Sequence, residues 1–150
     1  MRKPNTMLLS PDRENTSLRI EVFVLCETAQ EFDGRLNLLG TFETIRVAAL
    51  PVVLPLLTVA IRLRYWSDEE GVHRCVIRLI DADGRPILEE LCGDFVVGAS
   101  NGNSSDVTNI LVKLQDLCLG DEGEYGMELY LDDHLEASLP LNIECPQSKH

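Results

Sequence analysis

A chain of 150 residues, 45% apolar and 25% charged, has the size and composition of one globular domain rather than a disordered segment. Its formal net charge of −12 repels phosphate backbones and anionic lipid, so neither nucleic acid nor membrane is expected as a partner. Five cysteines, odd in number and with no C-x-x-C pair, exclude a disulfide framework or a zinc knuckle as the organising principle.

Residues 1–17 are polar, carry Pro4 and Pro11, and show no periodicity; they read as a flexible N-terminal tail. Met7-Leu8-Leu9 is too short for a signal-peptide core. The apolar stretch from Val47 to Ile61 is interrupted by Pro51 and Pro55 and falls short of a membrane span. A cytoplasmic location is therefore expected, and the sequons at Asn15 and Asn103 carry no meaning without secretion.

From residue 18 a period of two takes over, the mark of half-buried strands. Leu18, Ile20, Val22, Val24 and Cys26 share one phase, with Phe23 and Leu25 making the later half apolar on both faces. At most a turn is expected in Glu27–Gly34, after which Leu36, Leu38 and Phe42 mark a strand through Leu36–Ile45. Leu57, Val59, Ile61, Leu63 and Tyr65 alternate with Thr58, Ala60, Arg62, Arg64 and Trp66. Cys75, Ile77 and Leu79 oppose Arg74 and Arg78, and Pro86–Val97 is a less regular strand containing Gly93.

A Gly/Asn/Ser loop at Ser100–Asp106 is expected to carry the chain across the domain. Ile110, Val112 and Leu114 then alternate until Gln115-Asp116, where the phase slips to Leu117 and Leu119, as at a β-bulge or a bend. Tyr125, Met127, Leu129 and Leu131 form one clean series, and Leu135, Ala137, Leu139, Leu141 and Ile143 the next. Asp83-Gly84 and Asp132-Asp133 suit tight turns. Pro140 lacks a donor, so its side of the last strand belongs on a sheet edge.

The expectation is an all-β domain over 18–145, about eight antiparallel strands in a two-sheet sandwich, with a short tail at 146–150. Asp121-Glu122-Gly123-Glu124-Tyr125 resembles the D-x-G-x-Y turn that opens strand F of immunoglobulin domains. That resemblance implies a structural corner of Asp121, Gly123 and Tyr125, with the tyrosine hydroxyl bonded to backbone a few residues upstream. It departs from the family at Met127, where the disulfide cysteine would stand, and at Trp66, which ends its strand.

A longer resemblance runs over roughly residues 20 to 144. Phe23-Val24-Leu25-Cys26-Glu27-Thr28-Ala29-Gln30 with Gly34-Arg35-Leu36-Asn37-Leu38-Leu39-Gly40, then Ala60-Ile61-Arg62, the Asp81–Gly84 turn and Gly123-Glu124-Tyr125, are similar to a family of small bacterial β proteins of unknown function. It implies a β-sandwich and no assigned activity, the immunoglobulin-like topology being implied by the Asp121–Tyr125 resemblance alone.

Histidine is scarce (His73, His134, His150), and neither H-x-H, H-E-x-x-H nor G-x-S-x-G occurs. Cys26 has polar Glu27 and Gln30 beside it but an inward phase, which favours an inert thiol over a nucleophile. Asp81-Ala82-Asp83-Gly84 lacks the ligand spacing of a calcium loop. Catalytic, metal and cofactor residues are expected to be none. The remaining candidate is Arg62, Arg64, Arg74 and Arg78, on outward phases of consecutive strands and so side by side on one face of a hairpin. Cross-strand pairing with carboxylates is the plainer account, an anion or partner face the alternative. The functional expectation is a non-catalytic interaction or structural module that binds a protein partner or itself through an edge strand. Its rivals are an enzyme using loop carboxylates, as in glycoside hydrolysis, and a calcium-dependent adhesion domain.

Overall fold

A computed structural model describes residues 18–98 and 104–146. The expected tail over 1–17, residue 99 and residues 100–103 of the expected loop, residues 147–150 and both sequon asparagines lie outside the described residues.

The alternation becomes nine strands among the described residues: β1 (Arg19–Phe32), β2 (Arg35–Phe42), β3 (Thr44–Arg46), β4 (Val52–Trp66), β5 (Gly71–Ile80), β6 (Leu91–Val97), β7 (Ser105–Leu119), β8 (Gly123–Leu131) and β9 (His134–Glu144). They build a five-stranded sheet, β3-β9-β8-β5-β6, and a four-stranded sheet, β2-β1-β4-β7. Every pair is antiparallel except β3 with β9, which departs from the all-antiparallel expectation. The ninth strand arises because the single strand expected over Leu36–Ile45 divides: β2 joins one sheet and β3 the other. No helix among the described residues is long and apolar enough to cross a membrane.

One apolar core joins the two sheets. Val59, Ile61 and Leu63 of β4 meet Ile77 and Leu79 of β5, Met127, Leu129 and Leu131 of β8, and Leu141 and Ile143 of β9, all buried. These are the residues that the period-two phase selects, because alternate side chains of a strand stand on opposite faces.

Two expected phases are corrected by register shifts. Between Ile20 and Val22 the pairing of β1 slips, so Leu18, Ile20, Phe23 and Leu25 reach the shared core. Cys26 is buried instead on the far side of the sheet, in a second cluster with Ala29 and Ala60, flanked by Val24, Leu38 and Leu111. Between Leu135 and Ala137 a second slip turns Leu135 outward, leaving it 53% exposed. At Gln115-Asp116 the register with β4 stays unbroken, Leu54 on Leu117 and Leu56 on Gln115. Both strands change face together there, with Asp116 at φ 54, so the slip is a shared bend rather than a one-residue bulge.

The turn expected near Glu27–Gly34 is the tip of a β1–β2 hairpin, with Asp33 and Gly34 at φ 53 and 77. Its tip folds back over the four-stranded sheet. The Gly34 carbonyl accepts hydrogen bonds from Arg62 Nη1 at 3.5 Å and Asn109 Nδ2 at 3.3 Å. Pro140 fits its expected edge: the N–H of Asn142, two residues on, donates to the Glu43 carbonyl, and the β3 pairing begins only at Asn142.

Asp132 and Asp133, at φ 49 and 70, close the β8–β9 hairpin with two left-handed residues. Glycine adopts that conformation without a Cβ penalty. Asp133→Gly is therefore expected to raise stability by about 0.5 kcal/mol in urea titration, the gain being partly offset by the freer unfolded chain. A loss of stability would show that the Asp133 side chain contributes more than its backbone costs.

Candidate functional site

The two sheets leave space between them on both sides, and where β2 gives way to β3 beside β9 it is an open cavity of about 490 Å³ lined by Phe42, Thr44 and Pro140. β6 ends the five-stranded sheet and β7 ends the four-stranded one. Between these edges lies an open cavity of about 270 Å³, with Cys75 and Ile77 of β5 as floor, Leu91, Gly93 and Phe95 of β6 as one wall, and Ile110 and Val112 of β7 as the other. A second cavity of about 410 Å³ shares Leu91 and continues past Ile87, Leu88 and Glu89 to Lys113, Asp116 and Leu117. Together they form a groove along β7.

Gly93 sets the width of this groove. It pairs with Cys75, whose side chain points inward, and a Cβ built on Gly93 would meet no atom within 4 Å. The gap is a missing side chain. Burial pushes the Cys75 thiol up to about 11, with Cys92 nearby adding to the shift, so the floor of the groove holds a protonated thiol and no nucleophile. Burial likewise raises Cys26.

The β7 edge is unusual for an exposed strand. Val107-Thr108-Asn109-Ile110-Leu111-Val112 has neither charge, proline nor glycine, and all six residues are only half-buried. Edge strands are ordinarily shielded by charges, proline, bulges or a covering loop, because their unpaired N–H and C=O groups template further pairing. Among the described residues no turn or loop backbone bond reaches β7, and the Val107 N–H is held by Asp106 Oδ1 at 2.8 Å. Among the described residues β7 pairs with β4 alone.

The four arginines do not share a face. The Ser67–Glu69 turn carries the chain from one sheet to the other instead of closing a hairpin, so β4 and β5 are not neighbours. Arg62 and Arg64 grip one carboxylate, the Glu21 oxygens accepting from both Nε atoms, and the hydrogen bond from Arg64 leads in holding Glu21 below the usual carboxylate range. Arg62 also donates to Asn109 Oδ1 at 3.3 Å. On the other sheet, Arg78 donates to Tyr130 Oη at 3.1 Å and lies 3.4 Å from Glu90 and 3.6 Å from Glu128. Arg74 approaches Asp94 to 3.9 Å. Each cation has a carboxylate, the arrangement that cross-strand pairing requires.

Tyr125 Oη donates to the Asp121 carbonyl at 2.7 Å, and Gly123 sits at φ 141 between them. His73 was not singled out by any motif, yet it is nearly enclosed. Its Nδ1 lies 2.6 Å from Asp132 Oδ2, its Nε2 faces the Glu69 carbonyl, and its ring stacks on Phe95 at 5.7 Å. Two acceptors on two ring nitrogens call for the imidazolium. Burial pulls its pKa down, but the bonds to Asp132 and Glu69 outweigh it and the net shift is upward. A folded-state pKa above the unfolded value means that the contribution is complete below about pH 6.5 and is lost as pH rises through the folded pKa. Stability measured from pH 5 to 9 should therefore fall more steeply for the native chain than for His73→Gln. Parallel curves would refute the assignment. Among the described residues, no three His, Cys, Asp or Glu side chains gather to hold a metal.

A family model described as a family of unknown function (DUF6941) matches residues 21–144. No curated protein matches. Among solved structures, a β-glucosidase from Listeria innocua in complex with isofagomine is similar, at TM-score 0.52 and 10% identity over 85% of this chain and 16% of that one. The same enzyme in complex with glucose gives the same TM-score of 0.52. The alkylpurine DNA glycosylase AlkC of Pseudomonas fluorescens, bound to DNA containing an abasic site analog, follows at TM-score 0.49 and 8% identity over 85% of this chain and 30% of that one. The likeness to the β-glucosidase is one of fold alone, and this chain spans about a sixth of it.

Proposed function

The chain belongs to this family of unknown function, and from that premise we propose that it is a non-catalytic protein-interaction module working by strand addition at the groove between β6 and β7. The observation that carries the proposal is the uncharged, half-buried edge at Val107–Val112 beside an apolar cavity. An added strand would satisfy the outward backbone groups of β7 while alternate side chains fill the gap above Gly93. The reading extends to an immunoglobulin-like sandwich, supported by the Tyr125–Asp121 bond, and to a bacterial cytoplasm, supported by five cysteines that form no disulfide among the described residues. The net charge of −12 argues against nucleic acid or lipid as the partner.

The test is affinity capture from native lysate followed by hydrogen exchange on the complex. Strand addition predicts slowed exchange of amides within Ser105–Val112 against an unchanged core. A partner that protects only the Arg62 and Arg64 face would sink the reading.

A further inference from the structure

Resting on the strand-addition reading, we infer the chemistry of the occupant: an extended segment of a partner protein that seats one large apolar side chain above Gly93 and carries lysines or arginines on both flanks. The apolar anchor follows from the cavity, since Ile77, Phe95, Ile110 and Val112 offer no polar side chain to pair with. The cationic flanks follow from the rim. Asp94 stands at one end of the groove, its side chain 63% exposed, and Arg74 reaches it only at 3.9 Å. Glu89 and Asp116 stand exposed at the other end, where Lys113 is the sole cation among the described residues that line either cavity. On a chain of net charge −12, a cationic segment is steered to this rim. A second copy brings the same negative charge and is disfavoured.

Two synthetic ten-residue peptides test this on the full chain. Both alternate Thr and Val around a central Phe; one is flanked by Lys pairs, the other by Glu pairs. The Lys-flanked peptide should slow amide exchange within Val107–Val112 and bind about tenfold more tightly than the Glu-flanked one, as expected for a few exposed ion pairs. That advantage should fade near 1 M salt, where the screening length falls to about 3 Å. Equal binding of both peptides, with β7 protected, overturns the charge inference and leaves strand addition standing. If neither peptide protects β7, both readings fail. Protection that grows with protein concentration without peptide, together with a doubled mass, makes the occupant a second copy and overturns the inference.

Discussion

Replacing Leu129 by Ala is expected to lower stability by about 3 kcal/mol and the melting temperature by about 10 °C. Leu129 is 0% exposed, at the centre of β8, with Ile77 of β5 and Ala137 of β9 as its cross-strand neighbours. Removing its methyl groups loses their transfer free energy. It also leaves a hole, since both flanking strands are held by their ladders and cannot close in. Leu135→Ala is the matched control: the same truncation on a side chain turned outward by the register slip should change stability by no more than about 0.5 kcal/mol. Urea titration of both variants decides the matter. A loss below about 1 kcal/mol at Leu129 would mean that the two sheets are not packed there.

Gly93→Val is expected to leave the fold intact, or slightly stabilise it, while weakening partner binding on the order of a hundredfold, since the missing side chain is what the partner's anchor replaces. A Cβ at Gly93 has no atom within 4 Å, its φ does not lie in the left-handed region, and valine favours an extended backbone. The new isopropyl group would occupy the cavity of about 270 Å³ between β6 and β7. Calorimetric titration with the Lys-flanked peptide, alongside thermal melts, separates the two effects. Undiminished binding with an unchanged melting temperature would show that the space above Gly93 is not used.

Much of the fold could be read from alternation. Met127, Leu129 and Leu131 on β8, Val59, Ile61 and Leu63 on β4, and Ile77 and Leu79 on β5 are the core that the period selects. Alternation misleads where an extra residue or a kink lies between two phases that are each locally consistent. Cys26 and Leu135 are such cases, since the shifts at Ile20/Val22 and Leu135/Ala137 show only against the partner strand. The Asp33-Gly34 turn carried a strong hairpin signal, but Glu31 and Phe32 before it broke the alternation that would have marked the strand.

The candidate site was half visible. Gly93 inside a strand is a sign of close approach or a vacancy. What it faces, Ile110 and Val112, lies on a strand of the other sheet, and no local pattern links them. The arginines show the converse: their outward phases were right, but their grouping assumed that β4 and β5 pair, whereas each strand instead found carboxylates in its own sheet.

The sequence by itself determined where most strands run and most of the shared core, because the two-residue period is a property of neighbouring residues along one chain. The tertiary structure alone decided which strands share a sheet, where the sheets part, and so which edge is left unpaired. Those choices depend on backbone pairing between segments far apart in the chain, and they are made only when two apolar faces meet and exclude water.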